Sequence, residues 1–238
     1  MQMCSLWRHP RIYSTGYWKV LMETSLEHRL DNNAEPVEFR PSEKGRVKRG
    51  RKLASYNKAD IFQLIDELKF GHMGFVSEAQ AIVIPMTFWR VDEYLYFHTL
   101  NKSRLDKLIQ SGAEICISFA ETSEWVLSKS AYHTSVNYRS AVIFCTGSRV
   151  ETNEDFDQAF KGIINDIEPG RWNHVRPPSQ KERKATALLK LTITEGSYKS
   201  RSGGPNEEVE DLDLPVWNGT VPIDREKRKA GVCPFHRE

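Results

Sequence analysis

Hydroxyls and cations crowd together in the segment YFHTLNKSRLDKL (Tyr96–Leu108), where strand-forming residues give way to a helical spacing of Leu105, Leu108 and Ile109. A helix start leaves backbone N–H groups without intrahelical partners and carries partial positive charge, so it receives anions readily. Lys102, Ser103 and Arg104 stand at that start, with Lys107 one turn later. Arginine offers a planar fork to phosphate oxygens, lysine a point charge and serine a neutral donor. Together they make a phosphate grip or, equally, an ordinary solvated first turn; composition leaves both readings open.

Two further clusters could meet a ligand. SKSAYHTSVNYRS (Ser128–Ser140) is dense in hydrogen-bonding groups, and Tyr138, Arg139 and Ser140 open a long strand from which alternate side chains could reach over one sheet face. Tyr132 and His133 beside it are general acids or stacking groups, or satisfied loop residues. Trp217, in VWNGTVP, is a large aromatic in a stretch without strand or helix signal, and such a ring needs a pocket in its own domain or in a partner. Cys4, Cys116, Cys145 and Cys233 are scattered without C-x-x-C, and His72, His98 and His174 have no metal-ligand spacing around them, so neither zinc nor a disulfide framework is indicated. P-loop, G-x-G-x-x-G and Ser-His-Asp patterns are missing.

The elements that must position these residues can be read from hydrophobic period. Asn57 is a good N-cap for a helix through Ile61, Leu64, Ile65 and Leu68 that Gly71 would close. HMGFVS, AIVIPMTFWR and EYLYFHTL then predict a three-stranded antiparallel meander, with Pro85 demoting its strand to an edge or bulge whose backbone is free to meet something else. AEICISFA, EWVLSKS, NYRSAVIFCTGSRVE and ATALLKLTITEGSYKS are further strands. Thr152–Ile167 is a helix with Phe156, Ala159, Phe160, Ile163, Ile164 and Ile167 on one stripe, and Ser179-x-x-Glu182 is a capping box. At least six strands without βαβ alternation predict a mainly β chain, an antiparallel barrel or sandwich with peripheral helices.

With 34 basic against 32 acidic residues in 238, the formal charge is +2, so no global field argues for a nucleic-acid partner. Charge is segregated locally, into KGRVKRGRK at 44–52 and EEVEDLD at 207–213; the basic run is a solvated arm or a contact for the acids or a phosphate. No apolar run approaches the roughly 20 residues of a membrane span, and the expectation is a soluble cytoplasmic protein in a reducing compartment. Residues 1–22 carry Arg8, Arg11 and Lys19 but no acid, which fits an organellar presequence or sequence upstream of a start at Met22. Residues 1–40 are therefore set aside as an N-terminal extension, disordered or mis-started, 41–205 form the domain, and 206–238 are an irregular tail packing on the barrel or a partner subunit.

From about Lys48 to Pro222 the chain resembles the pyridoxamine 5′-phosphate oxidase-like superfamily, and within it the nitroimidazole-resistance and flavin-nucleotide-binding proteins. The landmarks, in the family's order, are GHMGFV, VIPMTFWRVDEYLYFH, the K-S-R segment, SKSAYHTSVNYRSAVIFCTGSRV, PGRWNHVRPP, ITEGSYKSRSGGP and VWNGTVP. The resemblance implies a split β-barrel homodimer with flavin mononucleotide (FMN) at the subunit interface. It implies that Thr99, Lys102, Ser103, Arg104 and Lys107 grip the phosphate, that the strand of Pro85, Met86, Thr87 and Phe88 runs along the isoalloxazine, that Tyr138, Arg139 and Ser140 lie near the cofactor, and that Trp217 covers the ring. His98 stands where the family's catalytic histidine for nitro-drug reduction is found. The implied function is an FMN-dependent oxidoreductase of an unidentified small molecule, with nitro compounds as candidate substrates; the alternative is a non-catalytic module for storage, sensing or regulation. Haem and the deazaflavin F420 are the family's other cofactors, with His133 or His98 as axial candidates for haem. Two departures stand out: Ser77-Glu78-Ala79-Gln80 replaces an Asp-Gly hairpin, and Leu100-Asn101-Lys102 replaces a glycine-rich loop.

Overall fold

The computed structural model describes residues 37–224; the expectations for a presequence, for a start at Met22 and for the last residues of the tail lie outside that range. Asn57 caps helix α1 (Lys58–Leu68) by accepting the Ala59 N–H at 2.9 Å, and the helix buries Ile61, Leu64 and Ile65. It ends earlier than expected, at Lys69 in the left-handed region with φ 53°. Gly71 instead serves packing: a Cβ there would stand 2.8 Å from the Phe119 ring. Order also extends upstream of residue 41, since Phe39 is buried in the core and packs edge-on against Phe62.

Strands β2 (Phe70–Ser77) and β3 (Gln80–Thr87) form a hairpin in which Ser77 pairs with Gln80. Its two loop residues, Glu78 and Ala79, sit at φ 52° and 60°. Two-residue turns of this hand match the twist of the strands but ask both residues for positive φ, which is why Asn-Gly is the usual choice.

The expected three-stranded meander does not form. The apolar run breaks at Phe88, whose ring is fully buried against Phe97 and Phe119, with centroids 5.8 and 5.6 Å away. Burying such a ring is worth roughly 2–3 kcal/mol, more than the strand loses by kinking, and the Phe88 N–H finds the Lys69 carbonyl at 2.6 Å. Beyond the kink, β4 (Trp89–Val91) pairs with β5 (Tyr94–Leu100), and β5 pairs with β8 (Thr186–Arg201) rather than with β3. Pro85 does lie on an edge strand, because β3 pairs with β2 alone.

The antiparallel order is β3-β2-β6-β7-β8-β5-β4, where β6 is Ile115–Leu127 and β7 is Ser135–Arg149, with the short β1 (Ala54–Ser55) on β8 and β9 (Gly219–Pro222) on β6. AEICISFA and EWVLSKS, expected as two strands, are one strand β6 (Ile115–Leu127) with a register shift between Thr122 and Glu124. Met73 and Phe75 of β2 share one core with Leu95 and Phe97 of β5, although these strands lie far apart in the sheet order. That is possible only if the sheet curls on itself, and because β3 and β4 do not pair the curl stays open: a split β-barrel, mainly β. Ile117 and Phe119 of β6, Ala141 and Ile143 of β7 (Ser135–Arg149) and Leu189 and Leu191 of β8 fill the interior. Leu105 and Ile109 of α2 (Arg104–Gln110) join them. Helix α3 (Asn153–Ile167) covers the outer face of β4, β5 and β8 through a second cluster of Trp89, Phe156, Ala159 and Leu188, while Ile167 at its end is exposed. Helix α4 (Gln180–Ala185) starts at the expected capping box of Ser179 and Glu182. Among the described residues no helix is long and apolar enough to cross a membrane.

Candidate functional site

The loop from Thr99 to Lys107 is shaped by one buried carboxylate. Ser103 caps α2, its Oγ accepting the Asp106 N–H at 3.2 Å and sharing a hydrogen bond of 3.1 Å with Thr99 Oγ1. Lys102 takes a left-handed conformation, φ 61°, and donates its N–H to Asp106 Oδ2 at 2.7 Å. Asp106 is 1% exposed and also accepts from Gln110 Nε2 at 2.7 Å. Arg149 stands 3.4 Å from Asp106 and donates to Asn101 Oδ1 at 2.9 Å, and Asn101 in turn donates to the carbonyls of Lys184 and Ala185. The bulky Leu100-Asn101-Lys102 segment is thus a tied turn rather than a flexible glycine loop. Sequence reasoning missed Asp106, although Ser103-x-x-Asp106 repeats the spacing of Ser179-x-x-Glu182.

With the acid turned inward, Lys102, Arg104 and Lys107 are exposed, and among the described residues none has an acidic partner. Arg104 lies over the Phe75 ring at 5.5 Å. Three cations without acidic partners are therefore exposed on one turn, beside the linked and half-buried hydroxyls of Thr99 and Ser103, an arrangement that suits a phosphate.

The other expected site residues are distributed differently. On β3, Pro85 and Thr87 point outward opposite His72 and Phe70, whereas Met86 packs against the core. Phe88 cannot line a ring with its side chain, which is sealed in the core, and its N–H is already used. Arg139 is held by Glu67 and Glu121, Ser140 donates to the Lys199 carbonyl at 3.3 Å, and Tyr138 lines a cavity of about 300 Å³ with Arg139 and Arg201. Leu100 pairs with Thr186 at one end of β8, and Ser140 pairs with Lys199 near the other. At about 3.3 Å per residue the two groups are on the order of 40 Å apart along the strand. One protomer does not bring them together.

Trp217 folds over Gly219, where a Cβ would meet its ring at 2.8 Å, and VWNGTVP contributes strand β9 instead of staying irregular. The hydroxyl-rich Ser128–Ser140 segment has a structural explanation. Glu207 accepts from Ser128 Oγ at 2.7 Å and the Lys129 N–H at 3.0 Å, and Asn218 donates to it at 2.9 Å. Lys129 Nζ reaches the carbonyls of Leu212 and Leu214, and His133 stands 3.4 Å from Glu208. The segment ties down the tail. The basic run 44–52 is likewise anchored to the sheet, by Lys44 to Glu114 and Glu195 and by the Val47 N–H to the Tyr56 hydroxyl.

His98 projects from the outer face of β5, opposite to its neighbour Phe97 in the core. Its ring lies 6.0 Å from Trp89 and 6.1 Å from Phe160, and it opens on a cavity of about 430 Å³ that Phe156, Phe160, Val175 and Pro178 also line.

The family model for pyridoxamine 5′-phosphate oxidase matches residues 57–200. No curated protein matches the sequence. Among solved structures, the flavocytochrome Anf3 from Azotobacter vinelandii is 30% identical with a TM-score of 0.73, over 78% of this chain and 86% of that one. The FAD and heme binding protein from Mycobacterium smegmatis is 24% identical with a TM-score of 0.67, over 76% and 92%. A candidate 5-nitroimidazole antibiotic resistance protein from Bacteroides thetaiotaomicron is 18% identical with a TM-score of 0.53, over 62% and 86%. The last two likenesses are of fold. The family match spans β2 to β8 and so contains the whole Thr99–Lys107 turn: this chain belongs to the pyridoxamine 5′-phosphate oxidase family.

Proposed function

We propose that this protein is a flavin-dependent oxidoreductase, a homodimer that binds FMN with Thr99, Lys102, Ser103, Arg104 and Lys107 on the phosphate. The observation that carries the reading is the set of three cations without acidic partners on a turn that Asp106 pre-shapes. A terminal phosphate dianion, as FMN carries, suits three free cations better than the diester of a longer nucleotide. The likeness to a flavocytochrome supports a flavin. The flavin supplies the redox chemistry; the chain binds it, orients it and sets its electrostatics.

Two observations support the homodimer. The outward face of β2 and β3 exposes Phe70, Val76 and Val83, 53%, 65% and 64% accessible, beside Pro85, an apolar patch on an edge hairpin. Tyr138, Arg139 and Ser140, remote from the phosphate turn in one protomer, could reach the same cofactor from a second copy.

The visible spectrum of the purified protein tests the flavin directly, and a colourless preparation that takes up no added FMN refutes it. Charge-assisted hydrogen bonds to phosphate are worth roughly 1.5–3 kcal/mol. Arg104→Ala is therefore expected to weaken FMN binding tenfold to a hundredfold, measured by flavin fluorescence titration, and unchanged affinity would move the phosphate elsewhere. Reduction of nitro compounds is the finer reading; it is supported by the sequence motif around His98, and unaltered nitroimidazole turnover in flavin-loaded His98→Ala removes that role. A second reading, flavin together with haem, is favoured by the flavocytochrome likeness.

A further inference from the structure

We propose that residues 207–213 of the tail dock on the basic segment 44–52 of a second copy of this chain, and the reverse by two-fold symmetry, so that complementary charge clasps the two protomers. The proposal rests on the homodimer reading and names a contact that holds it. In the basic segment Lys44 pairs with Glu114 and Glu195 and Lys48 with Glu43, whereas Arg46, Arg49, Arg51 and Lys52 are exposed and have no acidic partner among the described residues. In the tail Glu207 is bound by Ser128, Lys129 and Asn218, and Glu208 faces His133. Glu210 and Asp213 are exposed and, with the half-buried Asp211, have no basic partner among the described residues. Among these acids Val209, Leu212 and Leu214 are 83%, 54% and 41% accessible, and Leu53 beside Lys52 is 40% accessible. Charge alone would make an ordinary solvated surface. Apolar side chains left in water among charges, on two segments of opposite sign, are the makings of an interface with an apolar centre and a polar rim.

The two segments do not satisfy each other within one protomer. No ion pair joins them among the described residues, and Lys44, the Val47 N–H and Glu207 hold each to its own surroundings. They do meet the sheet at the same end of β8. The basic segment runs into β1, where Ala54 pairs with Lys199, and a Cβ on Gly50 would stand 3.1 Å from Lys199 Nζ. Two residues further along β8, Arg201 donates to the carbonyls of Gly203 and Gly204, at 3.4 and 3.0 Å, where the tail begins. A two-fold axis beside this end of β8 therefore brings basic segment to tail and tail to basic segment, one contact made twice, which is the self-complementary form of a two-fold dimer. The cavity of about 300 Å³ that holds Tyr138 and Arg139 is lined at this same end by Tyr198, Ser200 and Arg201, so the contact sets it against the partner. That gives the Tyr138 group, remote from the phosphate turn of its own protomer, a second copy to act on.

The test is sedimentation equilibrium of the full chain from about 0.1 M to about 1 M sodium chloride, a range over which the screening length falls from about 10 Å to about 3 Å. Wild type is expected to be a dimer whose dissociation constant rises with salt. One variant carries Arg49→Glu, Arg51→Glu and Lys52→Glu; another carries Glu210→Lys, Asp211→Lys and Asp213→Lys. Each is expected to weaken the dimer on the order of tenfold or more, because like charges then face each other at both contacts. Mixed in equal amounts, the two variants are expected to form a mixed dimer, since reversed basic segment meets reversed tail and native tail meets native basic segment; pairing within a chain gives no such rescue. Variants that dimerise as wild type does, or a mixture that stays monomeric, overturn the clasp, and a wild-type dimer beside them leaves the homodimer reading standing. A wild type that is monomeric at every salt concentration overturns both.

Discussion

Asp106 touches no ligand in the proposed site, yet the site should fail without it. Its carboxylate, on a residue that is 1% exposed, accepts from the Lys102 N–H and from Gln110 Nε2, each at 2.7 Å, and balances Arg149 at 3.4 Å. A hydrogen bond to a buried charged group is worth roughly 1.5–3 kcal/mol, and removing one member leaves the others unpaired. Asp106→Ala is therefore expected to destabilise the protein by about 3–4 kcal/mol, and Asp106→Asn, which keeps the shape and one acceptor, by about 1–2 kcal/mol. For a domain of this size that corresponds to a fall in Tm on the order of 10 °C for the alanine variant. Urea unfolding with a free and a shared m-value measures it. Because Lys102 owes its left-handed conformation to this bond, the alanine variant should also bind FMN several-fold more weakly, though no phosphate contact has been removed. A midpoint within about 0.5 kcal/mol of wild type, or an intact FMN affinity in a destabilised variant, refutes the idea that Asp106 shapes the grip. A double-mutant cycle with Arg149→Met should return a coupling of at least about 0.5 kcal/mol.

Other expectations follow from local geometry. At the β2–β3 hairpin, Glu78→Asn with Ala79→Gly relieves two L-residues held at positive φ and should raise stability by about 1–2 kcal/mol in thermal unfolding; no gain would mean the turn is not strained. A Cβ on Gly147 would meet Leu191 at 2.5 Å and the Lys190 carbonyl at 2.8 Å, so Gly147→Ala should cost about 2–3 kcal/mol by denaturant midpoint. The Ser42 N–H and hydroxyl, at 2.7 and 2.9 Å, together with Lys44, hold the Glu195 carboxyl below its ordinary 4.5. A lowered folded value means its stabilisation is complete above about pH 4.5 and fades as the pH falls through the folded value. Glu195→Gln should flatten the acid limb of stability below that pH, and an unchanged limb would place the acid sensitivity elsewhere.

Much of this architecture could be read from local patterns. The N-cap at Asn57, the α1 stripe, the edge position of Pro85 and the helix start at Ser103 all follow from short-range chemistry, and all stand in the structure. What could not be read depends on contacts distant in sequence. Nothing between Pro85 and Arg90 marks the kink, because the reason for it is the pair of rings, Phe97 and Phe119, waiting in the core. Asp106 looks like any solvated acid in a first turn until Arg149 and Gln110 are seen around it. Only the family resemblance, with its cofactor at a subunit interface, joins Tyr138–Ser140 to the phosphate turn, and the strand register separates the two within one protomer by the length of β8. Glu207, the latch of the tail, is in sequence one more acid in a run of five.

Strand β9 has a consequence for how the chain is made. Glu124–Leu127 of β6 is paired by Gly219–Pro222 on one side, and its first three residues are paired by β7 on the other. A nascent chain that has emerged only as far as β8 already holds most of the core but presents this stretch as an open, partly apolar border, with Trp125 and Val126 on it. Unpaired strand borders are templates for joining other chains. The last strand thus works as a closing selvage: until it emerges from the ribosome and Glu207 fastens behind it, crowding and delay favour the wrong neighbour.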